Sequence, residues 1–369
     1  MPDQLESHSE LPPPPDFTAP AELVADSHTE DRPAPVGPPR PSSSIRTIFL
    51  GAEGLRAGWG ILLFLVLFVA LAAGSVFLMS KFVPRTHTTQ SATTLMKPRS
   101  ALLNEGIPFL CVALSTWIMG KIERRPTSVY GFAPKRSLPN FLAGLGWGFV
   151  FLSLLVLILR ATGMLVFDAR LLFGAATFRY GAIWLLGFLL VGLLEEYLTR
   201  GYLQFTLTRG FAAIYRWLFR ARQAHALGFW TAALVLSFAF GYSHSSNPGE
   251  SPLGLLSAGL AGFMFCFSLW RTGSLWWAIG FHCTWDWAQS YLYGVADSGL
   301  MVQGHLFATH PVGRTFLSGG LTGPEGSLFL LPVMALAVII IWITLPQTGY
   351  PPAIARSVEP PATAVIALG

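Results

Sequence analysis

The 369-residue chain is 52% hydrophobic and only 12% charged, with a mean hydropathy of +0.53, where soluble domains carry about 25% charged residues. This excludes a soluble globular enzyme and predicts an all-α polytopic membrane protein. The net charge of +5 hides an asymmetry, because eight of the 19 acidic residues lie in the first 31 positions. The basic surplus of the remainder reads as topology signal at helix ends, not as a nucleic-acid footprint, and no nucleic-acid motif accompanies it.

Residues 1–45 carry Pro-Pro-Pro-Pro at 12–15 and a second Pro-rich run at 33–41. Such a stretch cannot bury enough apolar surface to order itself, so a disordered tail is expected, with no cleavable signal peptide at its start. Arg46–Arg56 reads as a short interfacial helix. Eight apolar spans follow, at about 58–80, 104–121, 140–160, 182–207, 226–243, 253–270, 275–293 and 327–345. Together they form a membrane-embedded bundle over 46–346, leaving a short C-terminal tail at 347–369.

With both termini in the cytoplasm, the inside segments hold 15 Lys and Arg and the outside segments eight, with Arg200 set aside as intramembrane. That orientation is the one expected, and the absence of eukaryotic targeting signals points to a bacterial cytoplasmic membrane. The stretch 209–222 alternates aromatics and arginines at helical spacing and reads as an interfacial amphipathic helix against anionic lipid. The Gly-rich run 313–326 reads as a flexible or re-entrant loop. Cys111, Cys266 and Cys283 show no CxxC spacing and read as small buried hydrophobes.

Three polar clusters interrupt the apolar spans. Glu195 and Glu196 sit side by side in the fourth, where a central acidic residue costs about 2.5–3.5 kcal/mol. Adjacent helical residues diverge by about 100°, so the two carboxylates cannot share a direction. Glu196 and Arg200, at i and i+4, neutralise each other, which leaves Glu195 in need of a partner from another helix. The second cluster is His244, at the end of the fifth span. The third is His282 with Asp286, one turn apart on the seventh and pointing the same way. Groups so costly alone satisfy one another by converging, and convergent Glu and His suit the activation of water or the binding of Zn²⁺. The span boundaries, however, set Glu195 mid-to-inner and His244 near the outer end. Either the fifth span starts later and curves, or part of 209–225 enters the membrane.

Glu-Glu-Tyr-Leu-Thr-Arg (195–200), Phe-Gly-Tyr-Ser-His (240–244) and His-Cys-Thr-Trp-Asp (282–286) resemble the EExxxR, FxxxH and HxxxN/D motifs of the CAAX protease and bacteriocin-processing (CPBP, or Abi) family of intramembrane proteases. The resemblance covers roughly residues 100–345, and eight helices suit that family. Two positions depart from its pattern: Thr199 stands where many relatives carry Phe, and Asp286 where Asn is commoner. The resemblance implies that Glu195 and His244 activate the hydrolytic water. It implies that His282 and Asp286 form or orient an oxyanion site, and that Glu196 and Arg200 hold the helix. It further implies either a divalent metal such as zinc on Glu195, His244 and His282, or a glutamate-centred mechanism. The substrate would be a membrane-associated peptide, or the tail of a lipidated or transmembrane protein. A proton- or ion-coupled transporter and a non-catalytic immunity or scaffold protein are the alternative readings, although no clear internal repeat supports the transporter.

Overall fold

Apolar runs satisfy their backbone groups without water only by coiling into helices. The computed structural model describes residues 48–51, 54–82, 95–133, 135–347 and 350, so the expected Pro-rich tail and nearly all of the C-terminal tail lie outside the described residues. The helices are α1 (Ala57–Phe82), α2 (Pro98–Glu123), α3 (Ser137–Ala161) and α4 (Ala175–Glu196). A π-helical stretch, Tyr197–Leu203, carries α4 without a break into α5 (Gln204–Phe219). Next come α6 (Ala224–Ser243), α7 (Pro252–Thr272) and α8 (Trp276–Asp286), the last extended by a second π-helical stretch, Trp287–Leu292. A one-turn α9 (Thr315–Ser318) precedes the final helix α10 (Leu330–Thr344).

Each expected span corresponds to a helix, and the protein is an all-α integral membrane protein. Six helices among the described residues are long and apolar enough to cross a membrane, α4 and α5 counting as one, while α10 is shorter. Large apolar side chains such as Val76, Phe77, Leu157, Phe238 and Trp342 remain exposed on the bundle perimeter. A helix apolar on its outward side is at home in lipid, not in water.

Within the described part of 46–56, Ile48 and Phe49 are helical and Leu50–Gly51 pairs antiparallel with Gly54–Leu55. The 209–222 stretch is amphipathic helix as far as Phe219, with Trp217 and Phe219 exposed, but it is not a separate one: residues 204–219 continue α4 without a break and pack along α6. Gly228 on α6 makes that approach possible: a β-carbon there would meet the backbone of Thr208 and Ala212. The Gly-rich run 313–326 is a folded loop held by its own hydrogen bonds, among them Gly319 N–H to Thr315 O at 2.7 Å, and by Leu328 N–H to Phe316 O at 2.9 Å just beyond it. A small sheet, unforeseen from sequence, pairs β1 (Leu165–Arg170) antiparallel with β2 (Phe307–Pro311), bulged between Phe167 and Ala169. It ties the connection after α3 to the one after α8.

The site depends on how closely α8 seats against its neighbours. Gly144 and Gly148 on α3 face Trp277 and Phe281 of α8, while Gly280 of α8 faces Phe141, each where a β-carbon would collide with backbone. Thr284 Oγ1–H donates to Leu145 O across the seam at 2.7 Å. Small residues that let backbones touch are the usual means of helix association where lipid removes the hydrophobic drive. Gly148→Leu is expected to force α3 and α8 apart and to lower the melting temperature in detergent by the equivalent of about 1–3 kcal/mol or more. Leu157→Ala on the exposed face should leave it nearly unchanged, and equal melting of both variants would refute the close seam.

Candidate active site

Glu195 and Glu196 end α4 just where it widens into the π-helical stretch. π-helical turns recur at functional sites because they re-aim side chains without ending the helix. Glu196 points inward with 0% side-chain exposure and accepts from Arg200 Nη1–H at 2.6 Å. Behind the pair, the guanidinium lies over the ring of Phe240 at 4.3 Å and near Phe265 at 5.6 Å. Gly262 on α7 leaves it room, since a β-carbon there would run into Nη2.

His282, on α8, completes the cluster. Its Nδ1–H donates to Glu196 Oε1 at 3.1 Å, and its Nε2 lies 3.4 Å from Asp286 Oδ2 and 3.7 Å from Glu195 Oε2. Both ring nitrogens therefore face carboxylates. His244 follows the last turn of α6, where its Nδ1–H donates to Phe240 O at 2.8 Å and its ring meets Phe240 edge-on. This fixes the ring and leaves Nε2 as its remaining nitrogen. Glu195 keeps 30% side-chain exposure, against 0% for Glu196, and with His244, His282 and Asp286 it lines a cavity of about 170 Å³.

The structure thus brings together all the residues singled out in the three motifs. It also explains the apparent mismatch in depth. Because α4 and α5 are one helix packed along α6, Arg200 comes level with Phe240, and Glu195 with the end of α6. Of the two ways out of the mismatch, the structure favours the one that carries part of 209–225 into the bundle.

The zinc ligand set fares differently. His244 Nδ1 and His282 Nδ1 are already hydrogen-bonded to Phe240 O and Glu196 Oε1, and His282 Nε2 has Asp286 Oδ2 at 3.4 Å. No group of three His, Cys, Asp or Glu side chains among the described residues is arranged to hold a metal ion. As placed, these residues do not fit a metal centre.

Sequence reasoning missed several polar residues of the cavity wall, among them Glu105 on α2, Ser257 on α7, Asp297 in the connection after α8, and Glu325 in the Gly-rich run. Glu325 is locked in place, its oxygens accepting from Trp285 Nε1–H at 3.0 Å and Ser298 Oγ–H at 2.9 Å. Asp297 accepts from Ser290 Oγ–H at 3.0 Å. Glu105 carried a signal, an acid inside an apolar helix, but the expected start of that span at 104 set it at the membrane edge. Pro98 at the first turn begins the helix almost two turns earlier.

Outside the spans, burial pushes the Asp297 carboxyl well above the usual carboxylate range, and the negative charges of Asp286 and Glu325 add to the effect. A raised folded-state value means that the folded form holds the proton more tightly. The associated stability is complete below the unfolded value of about 3.9 and is lost as pH rises through the folded one. Asp297→Asn should therefore gain in melting temperature over wild type as pH goes from acid to alkaline. A constant difference between the two proteins across that range would refute the assignment.

The buried pair makes a second prediction. Arg200→Ala leaves Glu196 buried without its cation and should cost about 3–5 kcal/mol. The fraction that remains monodisperse after heating in detergent reads this out, and a variant as stable as wild type would show that the pair is not structural.

Residues 177–288 match a family model, that of the type II CAAX prenyl endopeptidase Rce1-like proteins. The matched stretch contains all three motifs. No curated protein and no solved structure matches the chain.

Proposed function

Since residues 177–288 match the family model of the Rce1-like CAAX endopeptidases, which is the CPBP or Abi family that the three motifs resemble, we propose that the chain is an intramembrane endopeptidase of that family and cleaves a membrane-associated peptide or protein through water activated by Glu195 and His244. The observation that carries the reading is the convergence of Glu195, His244 and His282 on one cavity between the helices. Glu195, half-open to the cavity and not spent on Arg200, takes a proton from water, and His244 Nε2 steadies that water. The hydroxide adds to the scissile carbonyl carbon. Negative charge then develops on the carbonyl oxygen, and His282 Nε2, the ring nitrogen not bonded to Glu196, stabilises it. The proton held by Glu195 passes to the amide nitrogen as the C–N bond breaks.

Asp286 accepts from His282 and orients it, a role that a carboxylate performs as well as an amide. Glu196 and Arg200 act through position: they fix the end of α4 and one face of His282. We place the protein in a bacterial cytoplasmic membrane with both termini inside, the orientation that the Lys and Arg distribution favours. In that orientation the connections that line the cavity, around Asn247, Asp297 and Glu325, lie on the non-cytoplasmic side.

The test is cleavage of a membrane-peptide library by the purified protein in nanodiscs. Glu195→Gln and His244→Ala should each lose at least about 100-fold in rate while melting as wild type does. A chelator arm reads metal dependence directly. Full activity in both variants would overturn the proposal. Substrate-driven proton flux in proteoliposomes without any cleavage would favour a coupled transporter.

A further inference from the structure

Nine carboxylates fall among the described residues, and five of them line the one cavity: Glu105, Glu195, Asp286, Asp297 and Glu325. The others are Glu123, Asp168, Glu196 and Glu250. No Lys or Arg among the described residues lines the cavity. The Arg200 guanidinium is bonded to Glu196 and covered by Phe240 and Phe265. With Asp297 holding its proton, His282 and His244 supply at most two positive charges for the other four carboxyl groups, and uncompensated charge at low dielectric is costly.

A second observation is independent of charge. Ser257 is only 2% exposed, lines the same cavity, and its buried Oγ has no hydrogen-bond partner. A buried hydroxyl without a partner is a donor and acceptor waiting for a polar group. Among its lining neighbours are apolar Ala258 and Ala261, one and four residues along α7.

Resting on the endopeptidase reading, we infer that the cavity takes a peptide with a cationic side chain, Lys or Arg, flanking the scissile bond, the acidic wall binding the cation and Ser257 Oγ binding a peptide backbone group. Glu105 is central to this recognition. It faces the cavity from α2 with no hydrogen-bond or ion-pair partner among the described residues and is within electrostatic reach of Glu195. The inference also bears on what the cavity disfavours: a free carboxylate terminus close to the scissile bond would meet the same acidic wall.

The experiment uses the full-length protein in nanodiscs and one cleaved library peptide, its scissile bond mapped by mass spectrometry. The residue flanking that bond is varied through Lys, Arg, norleucine and Glu, with the C-terminus free or amidated. Lys and Arg peptides should exceed the norleucine peptide at least tenfold in kcat/KM, the Glu peptide should be worst, and amidation should help when the terminus lies close to the bond. Glu105→Gln should reduce the Lys-to-norleucine ratio at least threefold, mainly through KM, and Glu105→Asp should restore part of it. Ser257→Ala should raise KM for every peptide in the series.

Equal rates across the series, or a ratio untouched by Glu105→Gln, overturns the inference. Binding of N-methylated, uncleavable versions of the same peptides separates it from the reading on which it rests. Charge-selective binding without cleavage of any parent peptide overturns the endopeptidase alone. Cleavage without charge selectivity overturns the cationic subsite alone.

Discussion

A cation and an anion buried together inside a membrane protein constrain everything around them. Glu196 and Arg200 are both essentially inaccessible, so each needs the other and a wall that excludes lipid and water. Phe240 of α6, Phe265 and Gly262 of α7, and His282 of α8 supply that wall. The pair is therefore the point at which four helices must agree on their distances. A buried pair of this kind adds little net stability but severely penalises any arrangement that separates its members. It specifies the packing more than it strengthens it.

The same pair decides which of the two adjacent glutamates is available for chemistry. Side chains one residue apart on a helix diverge, and once Glu196 is claimed by Arg200 and His282, Glu195 has no choice but the cavity. His282 belongs to both settings: one nitrogen rests on the buried pair and the other faces Asp286 and Glu195. Rigidity is thus passed from the interior to the reacting surface through one imidazole. The substitution of Asp for Asn at the end of the third motif fits this arrangement, because the group required beside His282 Nε2 is an acceptor.

Much of this was legible in the sequence because the relevant interactions are local or unavoidable. Apolar length gave the spans, i,i+4 spacing gave the Glu196–Arg200 pair and the His282–Asp286 pair, and cost gave the convergence. What escaped notice depends on contacts between distant segments. Glu325 and Asp297 reach the cavity through connections whose shape is set by glycines in left-handed conformations and by hydrogen bonds to Trp285, Ser290 and Ser298. Ser257 looks like any serine in a helix until the missing partner of its hydroxyl is seen. The joined helix from 175 to 219 was hidden because a hydropathy profile falls where arginines appear, although the backbone has no reason to stop there.

The two π-helical stretches have a consequence for how this chain can change over time. The first, Tyr197–Leu203, overlaps the end of the 195–200 motif, and the second, Trp287–Leu292, follows directly on the 282–286 motif. A π turn holds an additional residue compared with an α turn, so it absorbs that residue locally and keeps the helix beyond it on the same face. Removing one residue from either stretch would restore a regular helix with its downstream face in place, whereas the same deletion within the α-helical part of α4 would rotate everything beyond it by about 100°. A change in length is therefore tolerated best in the two segments beside the motifs, where it would cost the direction of the side chains on the widened turn and leave the packing of the helices beyond intact.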